Sequence, residues 1–416
     1  MLLFYIVNLS IYTYNRDRLL KCFKFELEGV AKIKVAIIGM GLIGVSHVDA
    51  IRRLGGIELF AVADTNSELA SEKAAKYGIP KCYTGIDELI ANPEIKVIHN
   101  CTPNNLHLEV NKKIIEAGKH VFSEKPLARS TAETAQLITL LKNYPNTVAG
   151  LNFCYRMNPL IQDAKNRIAD GEIGKPLLVH GSYLQDWLLF DTDYNWRVEA
   201  ETNGESRCVS DIGSHWIDTA QTLIGSRITE VCANVVVVHP IRKKPKKQVE
   251  TFAVNAETDN YEEIPIRTED YAGVLVKFKN GASGVFQCSQ VSAGRKCFID
   301  IEVDGSLASL QWQHEVSDKM WKGNRNSNNE QIMRNPALMT PEARKYTYMA
   351  AGHPEGWNDA FKNNLQAFYD FIAEGKKMGI DQCDFATFEE GHYIMRLTEA
   401  IIKSGRERCW VPVNEL

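Results

Sequence analysis

The sequence predicts a two-domain α/β chain, in which a parallel βαβ domain precedes an α/β domain with a large, mostly antiparallel open sheet. Three observations support this fold class. Strand-like and helix-like segments alternate from residue 33 to about residue 150. Asn-Gly and Asp-Gly turns separate apolar runs between residues 272 and 312. The chain has 416 residues, which is too long for one ordinary hydrophobic core.

The first strand and the turn after it indicate a nucleotide site. Residues 33–38 are rich in β-branched apolar side chains, as in a strand buried on both faces of a parallel sheet. Glycines then follow with the spacing G-x-G-x-x-G, and an amphipathic helix is predicted to begin there. The first glycine allows a tight turn, the second lets a pyrophosphate approach, and the third lets the helix pack closely. The loop residues expected at a dinucleotide are Gly39, Met40, Gly41, Leu42, Ile43 and Gly44.

An acid at the end of the second strand strengthens this prediction, because the glycine pattern alone also occurs in turns that bind no ligand. The apolar run 57–63 ends at Asp64, 20 residues after Gly44. A carboxylate there would bind the ribose 2′-hydroxyl and repel a 2′-phosphate. Residues 65–67 include no Arg or Lys to receive such a phosphate. NAD is therefore expected in preference to NADP, and the alternative for Asp64 is a helix N-cap or a turn acid.

Charge and cysteine content exclude several classes of protein. With 48 basic and 52 acidic residues the net charge is −4, which gives no support for a nucleic-acid surface. The ten cysteines form no C-x-x-C pair, which favours a reduced cytoplasmic protein over a disulfide framework or a structural zinc site. No metal is expected. The cysteines are Cys22, Cys82, Cys101, Cys154, Cys208, Cys232, Cys288, Cys297, Cys383 and Cys409.

Residues 1–32 are predicted to be a poorly ordered extension. Their apolar part, residues 1–14, is too short to span a bilayer, and it lacks the preceding positive charge of a secretory signal. No membrane partner is expected. The predicted domains are a dinucleotide-binding domain over 33–155 and a substrate and oligomerisation domain over 156–416, whose closing helices can pack back on the first.

The remaining elements are predicted from local patterns. The predicted helices are 67–77, 106–117, 131–142, 159–169, a helix around 210–223, 357–374 and 387–403, and the predicted strands include 96–100, 120–123, 147–154 and 177–184. Turns at Asn280-Gly281 and Asp304-Gly305 predict two hairpins. The basic segment 240–266 is predicted to be a long solvated loop. An open antiparallel sheet needs cover, so a homo-dimer or homo-tetramer is expected.

Three polar clusters are expected near a bound nicotinamide. Residues 100–104 and 124–126 each follow a parallel strand, where ligands bind in open α/β sheets, and residues 211–218 begin a helix of the second domain. Asp211 and His215 are four residues apart, which places both on one helix face.

Lysine, aspartate and histidine in these clusters suit the oxidation of a secondary alcohol. His215 can take the hydroxyl proton near neutral pH, and the Lys125 ammonium can stabilise the alkoxide that develops. Asp211 can orient either residue. The structural alternatives are a surface ion pair for Glu124 and Lys125, and a helix cap beside a hydrogen-bonded histidine for Asp211 and His215. Their joint occurrence after a dinucleotide motif favours catalysis.

The ordered motifs resemble the glucose–fructose oxidoreductase / inositol 2-dehydrogenase (Gfo/Idh/MocA) family over residues 33 to about 405. The resemblance rests on Gly39-x-Gly-x-x-Gly44 with His47, Cys101-Thr-Pro-Asn-Asn-Leu-His107, Glu124-Lys-Pro126, Asn152-x-x-x-Arg156-x-x-Pro159 and Asp211-x-Gly-x-His215-x-x-Asp218. It implies an N-terminal Rossmann domain and a C-terminal α/β domain with a large open sheet. It also implies the catalytic set Lys125, Asp211 and His215, and cofactor contacts from Thr102, Pro103, Asn104, His107, Glu124 and Lys125.

Further segments are similar to the sugar-dehydrogenase branch of this family, at 185–187, 191–197, 289–296 and 352–357. Their tryptophans offer flat apolar faces for a sugar ring, although packing explains them equally well. The expected substrate-binding residues are Lys125, Asn152, Tyr155, Arg156, Trp187, Trp196, Arg197, Asp211 and His215. The two arginines would also suit the carboxylate of a sugar acid.

The sequence therefore predicts an NAD-dependent oxidoreductase that takes hydride from a secondary hydroxyl of a sugar, polyol or cyclitol such as inositol. A first alternative is a redox-neutral enzyme that retains NAD and cleaves or epimerises a glycoside through a keto-sugar. A second is a non-catalytic sensor of sugar and NAD. The presence of Lys125, Asp211 and His215 together argues against the sensor.

Overall fold

The computed structural model describes residues 32–246 and 261–413. The chain divides into two compact units, of which the first ends at Cys101 and the second begins at Thr102. This division differs from the predicted domains, since residues 102–155 belong to the second unit, and the boundary after residue 155 stays a prediction. The predicted N-terminal extension lies outside the described residues, apart from Lys32.

The described part of the first unit contains four parallel strands, each of which except the last is followed by a helix. The strands are β1 (Ile33–Ile38), β2 (Ile57–Ala63), β3 (Lys81–Tyr83) and β4 (Val97–Asn100), in the order β4-β1-β2-β3. The helices are α1 (Leu42–Arg52), α2 (Ser67–Lys76) and α3 (Ile86–Ala91). The last four residues of β1 and of β2 are buried, as expected for strands covered on both faces. Only β3 and α3 were not predicted, because they are too short to show a periodic pattern.

The second unit begins with further helices and parallel strands. Its first elements are α4 (Asn104–Glu116), β5 (His120–Ser123), α5 (Thr131–Leu141), β6 (Ala149–Leu151) and α6 (Pro159–Ala169). Strand β6 pairs in parallel with β5 and ends three residues before the predicted limit, because Cys154–Met157 form a 3₁₀ turn.

The closing helices of the chain return to these elements. They are α10 (Trp357–Ala373) and α11 (Phe388–Glu407), and the short strand β17 (Ala386–Thr387) pairs antiparallel with β6. Helix α11 packs against α5, and the hydroxyl of Thr134 lies 2.6 Å from Nδ1 of His392. A closing helix therefore contacts elements that the sequence placed in the first domain.

The largest feature of the second unit is a nine-stranded sheet in the order β16-β15-β14-β13-β7-β12-β11-β8-β18. Its strands are β7 (Pro176–Leu184), β8 (Ile228–Val236), β11 (Tyr271–Phe278), β12 (Ser283–Ser289), β13 (Phe298–Gly305), β14 (Ala308–Gln313), β15 (Lys319–Asn324), β16 (Glu330–Met333) and β18 (Val411–Pro412). Only the β7–β12 pair is parallel among these neighbours. The predicted large, mostly antiparallel sheet is thus confirmed.

Helices cover one face of this sheet. The indole of Trp216 on α8 (Ser214–Ile224) stacks on the ring of Phe286, with centroids 4.5 Å apart. On β11, Val274 and Val276 are buried while Leu275 is exposed, which is the alternation of a sheet with one covered face. The remaining helices of the unit are the single turns α7 (Ala200–Asn203) and α9 (Pro341–Arg344).

Two of the three turn and loop predictions need correction. The hairpin at Asn280-Gly281 is confirmed, with the amide of Gly281 donating to the carbonyl of Phe278 at 3.0 Å. The second predicted hairpin is also present, since β13 pairs antiparallel with β14, but its reversal comes after Gly305 because β13 continues to that residue. The prediction that residues 240–266 form a loop is wrong at both ends of the segment, where the chain forms strands.

The ends of that segment form a two-stranded antiparallel ribbon of β9 (Ile241–Pro245) and β10 (Tyr261–Pro265). The basic residues do not simply face solvent, because Lys243 and Lys244 form ion pairs with Asp191 and Glu199 at 3.0 and 2.6 Å. Residues 247–260, in the middle of the predicted loop, lie outside the described residues. No helix in the described ranges is both long and apolar enough to cross a membrane.

Candidate active site

The glycine-rich loop after β1 has the conformation that its sequence predicts. Gly39 has a φ of 95°, which glycine adopts readily, and α1 begins at Leu42. A Cβ atom on Gly44 would lie 2.0 Å from the carbonyl oxygen of Gly39, so a side chain there would push the helix away from the strand. A Cβ atom on Gly41 would meet nothing within 4 Å. The helix N-terminus is therefore open on the side where a phosphate would bind.

The carboxylate of Asp64 is hydrogen-bonded to the glycine-rich loop. Its Oδ2 accepts a hydrogen bond from the backbone N–H of Met40 at 2.7 Å, and its Oδ1 accepts one from the backbone N–H of Asn66 at 2.9 Å. The N-cap of α2 is Asn66, whose side chain accepts from Leu69 N–H, so the N-cap interpretation of Asp64 is wrong. The bond from Asn66 N–H does make Asp64 a turn acid, which was the other alternative. A fixed carboxylate beside an open glycine loop fits the adenosine ribose of a dinucleotide.

In the second unit, His107 joins two of the predicted clusters. Its Nδ1 lies 2.7 Å from the carbonyl oxygen of Pro126, and its Nε2 lies 2.8 Å from that of Thr102. The neighbouring side chain of Asn104 donates to Oδ1 of Asn203 at 2.8 Å. His107 thus contacts the backbone of both clusters, whereas Asn104 binds the side chain of Asn203. The contact of His107, Asn104 and Pro103 with a cofactor stays a prediction.

Glu124 and Lys125 do not form the surface ion pair that was the alternative interpretation. The carboxylate of Glu124 is buried and accepts from the amide of Asn152 at 2.5 Å and from the backbone N–H of Lys125 at 3.2 Å. Asn152 in turn accepts from Asn364 at 3.1 Å. The side chain of Lys125 is directed toward Asp211 instead of Glu124.

Lys125 reaches the turn that precedes α8. Its Nζ donates to Oδ1 of Asp211 at 2.7 Å and to the main-chain oxygen of Asp211 at 3.0 Å. Asp211 lies in a single π-helical turn, Val209–Gly213, and such turns are frequent at functional sites. Arg197 Nε is 3.7 Å from the same Oδ1. Burial alone would raise the pKa of Asp211, but the charges of Lys125 and Arg197 lower it to about 2, so the carboxylate is ionised.

His215 lies among aromatic rings. Its ring centroid is 5.4 Å from that of Phe153 and 4.9 Å from that of Tyr155, and both rings are nearly perpendicular to it. Burial, followed by the charge of Lys125, holds the pKa of His215 well below its usual value, although Asp211 opposes this. The imidazole is therefore neutral near pH 7. Its buried Nδ1 has no hydrogen-bond partner among the described residues.

The carboxylate of Asp211 binds the ammonium of Lys125 and not the imidazole of His215. The sequence spacing allowed Asp211 to orient either residue, and both oxygens of its carboxylate are engaged by other groups, namely Lys125 and Gln290. Asp211 acts on His215 only through its charge.

Three further side chains beside His215 were not predicted. The hydroxyls of Tyr155 and Tyr183 are 3.0 Å apart, and Sγ of Cys297 lies 3.1 and 3.2 Å from them. The ring of His314 packs on Tyr155 with centroids 4.9 Å apart. Tyr183, Cys297 and His314 come from β7 and from either side of the β13–β14 hairpin, and no local motif marks them.

The predicted substrate-binding residues separate into two groups. Trp196 lies under the guanidinium of Arg197, 4.3 Å from it, and Arg197 is beside Asp211. Trp187 packs against the buried cluster of Leu188, Val198 and Ile266 and donates to Gln185, so the packing explanation applies to it.

Arg156 is occupied by two carboxylates. Its Nε donates to Asp218 at 2.9 Å and its Nη2 to Glu390 at 3.0 Å. It lines a cleft of about 520 Å³ whose walls include Arg227 and Lys279 and none of the three predicted catalytic residues. The structure therefore brings together Lys125, Asp211, His215, Tyr155 and Arg197, and it gives Arg156 a structural ion pair.

One group of side chains in the described part of the chain has the spacing of metal ligands. It consists of His180, Glu302 and Asp304 on β7 and β13, and it contains none of the predicted catalytic residues. The expectation that catalysis needs no metal stays a prediction.

Comparison with known proteins finds a family match for each half of the chain. The family profile described as "Oxidoreductase family, NAD-binding Rossmann fold" matches residues 33–150, and the "GFO/IDH/MocA C-terminal domain" matches residues 161–311. Levoglucosan dehydrogenase of Pseudarthrobacter phenanthrenivorans is 26% identical over 410 residues, which cover 92% of this chain and 99% of that protein. Myo-inositol 2-dehydrogenase of Thermotoga maritima is 26% identical over 258 residues, which cover 62% of this chain and 69% of that protein.

Solved structures agree with these matches. A levoglucosan dehydrogenase in complex with NADH and L-sorbose has a TM-score of 0.83 at 26% identity, covering 93% of this chain and 100% of that chain. An inositol dehydrogenase homolog of Azotobacter vinelandii, in complex with NADH and myo-inositol, has a TM-score of 0.77 at 25% identity, covering 92% of this chain and 98% of that chain. The predicted Rossmann domain, C-terminal α/β domain and NAD cofactor are confirmed. The chain belongs to the GFO/IDH/MocA family of NAD-binding oxidoreductases.

Proposed function

We propose that the protein is an NAD-dependent dehydrogenase that oxidises a secondary hydroxyl of a sugar, polyol or cyclitol. The observation that carries this proposal is the buried Lys125–Asp211 ion pair beside the neutral imidazole of His215. An uncharged base can take the hydroxyl proton of an alcohol, and a charged donor can stabilise the oxyanion that develops. The levoglucosan and inositol dehydrogenases to which the chain is similar support this substrate class.

The proposed roles follow from charge and burial. His215 takes the hydroxyl proton, because its lowered pKa keeps the imidazole unprotonated and its unpartnered Nδ1 leaves a buried site for a substrate group. Lys125 donates a hydrogen bond to the substrate oxygen as negative charge develops there. Asp211 stays ionised and holds the ammonium of Lys125 in place. NAD, when bound, accepts the hydride that leaves the hydroxyl-bearing carbon.

The proposed cofactor residues are the glycine loop, from Gly39 to Gly44, and Asp64 in the first unit, with Thr102 and Glu124 in the second. The open space over Gly41 fits a pyrophosphate at the helix N-terminus. The carboxylate of Asp64 would repel the 2′-phosphate of NADP, which supports a preference for NAD.

Beside the base, three side chains can contact hydroxyl groups of the substrate. Tyr155 and Tyr183 offer phenolic hydroxyls, and Arg197 offers a guanidinium stacked on Trp196. A flat apolar ring with polar donors at its edge is a common means of binding a sugar.

The test mixes the purified protein with NAD and a panel of sugars, inositols and sugar acids, and follows the absorbance of reduced nicotinamide. The proposal predicts a steady rise with at least one sugar or cyclitol. A flat trace from protein that releases NAD when denatured would contradict it and favour the redox-neutral alternative. A flat trace from protein that binds a sugar without retaining NAD would favour the sensor.

We also propose a cytoplasmic homo-dimer or homo-tetramer. The uncovered face of the large sheet exposes Leu275 and Val285, which are cross-strand neighbours and are each 46% exposed. An apolar row on an open sheet is stabilised when a second copy covers it. The nine cysteines within the described ranges are all free thiols, which supports a reducing compartment.

A further inference from the structure

Gln290 connects the proposed active site to a charged network beneath it. It follows β12 directly and is fully buried. Its Nε2 donates to Oδ2 of Asp211 at 2.9 Å, and its Oε1 accepts from Nη1 of Arg207 at 3.2 Å. One amide therefore lies between a carboxylate and a guanidinium.

The orientation of this amide is determined by its two partners. A guanidinium can only donate hydrogen bonds, and an ionised carboxylate can only accept them. Oxygen must therefore face Arg207 and nitrogen must face Asp211. The backbone of Gln290 is also held, because its N–H donates to the carbonyl of Asp270 at 3.0 Å and its carbonyl accepts from Leu188 N–H at 3.1 Å.

Arg207 gives the amide a rigid support. It is fully buried and pairs with Asp270, which also accepts from Arg242 at 2.8 Å. The main-chain oxygen of Arg207 accepts from Asp211 N–H at 2.8 Å. The same arginine thus holds both the backbone of the π-helical turn and, through Gln290, the carboxylate of Asp211.

We propose that Gln290 is a positioning residue for the proposed dehydrogenase reaction, acting through Asp211. By occupying Oδ2, it leaves Oδ1 turned toward Lys125. Lys125 then has one fixed position from which to donate to the substrate oxygen. This inference rests on the proposed function.

Two substitutions separate positioning from packing. Gln290→Glu keeps the length of the side chain and an acceptor for Arg207, but it replaces the donor to Asp211 with a second negative charge. Gln290→Met keeps the volume and removes both hydrogen bonds. The matched control is Gln382→Met, since Gln382 is exposed and lies outside the sheet.

With the substrate found in the panel, both Gln290 variants should lose about 10- to 100-fold in kcat, the range for a hydrogen bond to a charged group. Their NAD affinity should match that of the unmodified protein. The loss in Gln290→Glu should shrink as the pH is lowered, because a protonated Glu can again donate to Asp211. A kcat equal to that of the unmodified protein in folded Gln290→Glu and Gln290→Met would overturn the inference.

A second readout does not depend on turnover. The rate at which an amine-directed acylating reagent modifies Lys125 is measured by peptide mass mapping. It should rise several-fold in Gln290→Met and stay unchanged in Gln382→Met, because the ammonium is held less firmly when Asp211 is free to turn. An unchanged rate in Gln290→Met would overturn the inference. Because this readout needs no substrate, it tests Gln290 even where the panel shows that the proposed function is wrong.

Discussion

The Nζ atom of Lys125 donates to both the carboxylate and the main-chain oxygen of Asp211, at 2.7 and 3.0 Å. The two residues are 86 positions apart in the sequence. The π-helical turn at Val209–Gly213 presents both oxygens to the lysine. Because the pair is only slightly exposed, a charge placed there interacts strongly with a nearby reacting group.

Replacing Lys125 tests the proposed role of its charge. We expect Lys125→Met to lower kcat by about 10²- to 10³-fold, the cost of removing one donor to a developing oxyanion. NAD affinity, measured by quenching of protein fluorescence, should not change. The control is Lys319→Met, because Lys319 is exposed on β15. A kcat within a few-fold of the unmodified protein would exclude the assignment.

The pH dependence of kcat/KM tests His215. Its pKa is held well below the usual 6.5 by burial. The active form of a general base is unprotonated, so a lowered pKa preserves activity as the solution becomes acidic. We expect the acid limb of the profile to lie clearly below pH 6.5, and His215→Asn to lose about 10²- to 10⁴-fold in kcat/KM. An acid limb at or above the usual histidine value would show that another group is the base.

The choice of cofactor tests Asp64. We expect Asp64→Ala to weaken NAD binding by about 10- to 100-fold, as for loss of a hydrogen bond to a charged group. NADP should bind relatively better, because the repulsion of its 2′-phosphate is removed. Dissociation constants for both cofactors can be measured by titration calorimetry, with Glu68→Ala in the first turn of α2 as the control. If the ratio of the two constants were unaltered, another residue would read the ribose.

A charge on the open face of the sheet tests the proposed assembly. We expect the unmodified protein to sediment as a dimer or tetramer and Val285→Lys to shift it toward the monomer, because an unpaired buried ammonium is costly. Ile380→Lys is the control, since Ile380 is 79% exposed and lies outside the sheet. A monomeric unmodified protein would contradict the proposal.

Local patterns in the sequence were sufficient where a short stretch determines both conformation and chemistry. Gly39, Gly41 and Gly44 predicted the loop before α1, and Asn280-Gly281 predicted a hairpin. Lys125 was identified because it comes just after a predictable strand, and Asp211 because it lies at the start of a predictable helix. The catalytic roles of these residues, and of His215, stay predictions.

The parts that the sequence did not show depend on contacts between distant strands. Gln290 reaches Asp211 only because β12 ends next to the π-helical turn. Spacing alone placed Asp211 and His215 on one helix face and left open which residue Asp211 orients, whereas the π-helical turn directs its carboxylate to Lys125. Arg156 matched a motif, but no local pattern reveals its ion pair with Asp218. The ribbon of β9 and β10 was missed because its basic residues resembled a solvated loop.

The transfer of deuterium from substrate to cofactor distinguishes a dehydrogenase from a redox-neutral enzyme. A substrate from the panel, deuterated at the carbon that bears the reacting hydroxyl, is incubated with NAD and the products are analysed by mass spectrometry. We expect one deuterium in each released molecule of reduced cofactor, and loss of this transfer in Lys125→Met. Deuterium that returns to the sugar product, with no reduced cofactor released, would contradict the account and identify a redox-neutral enzyme.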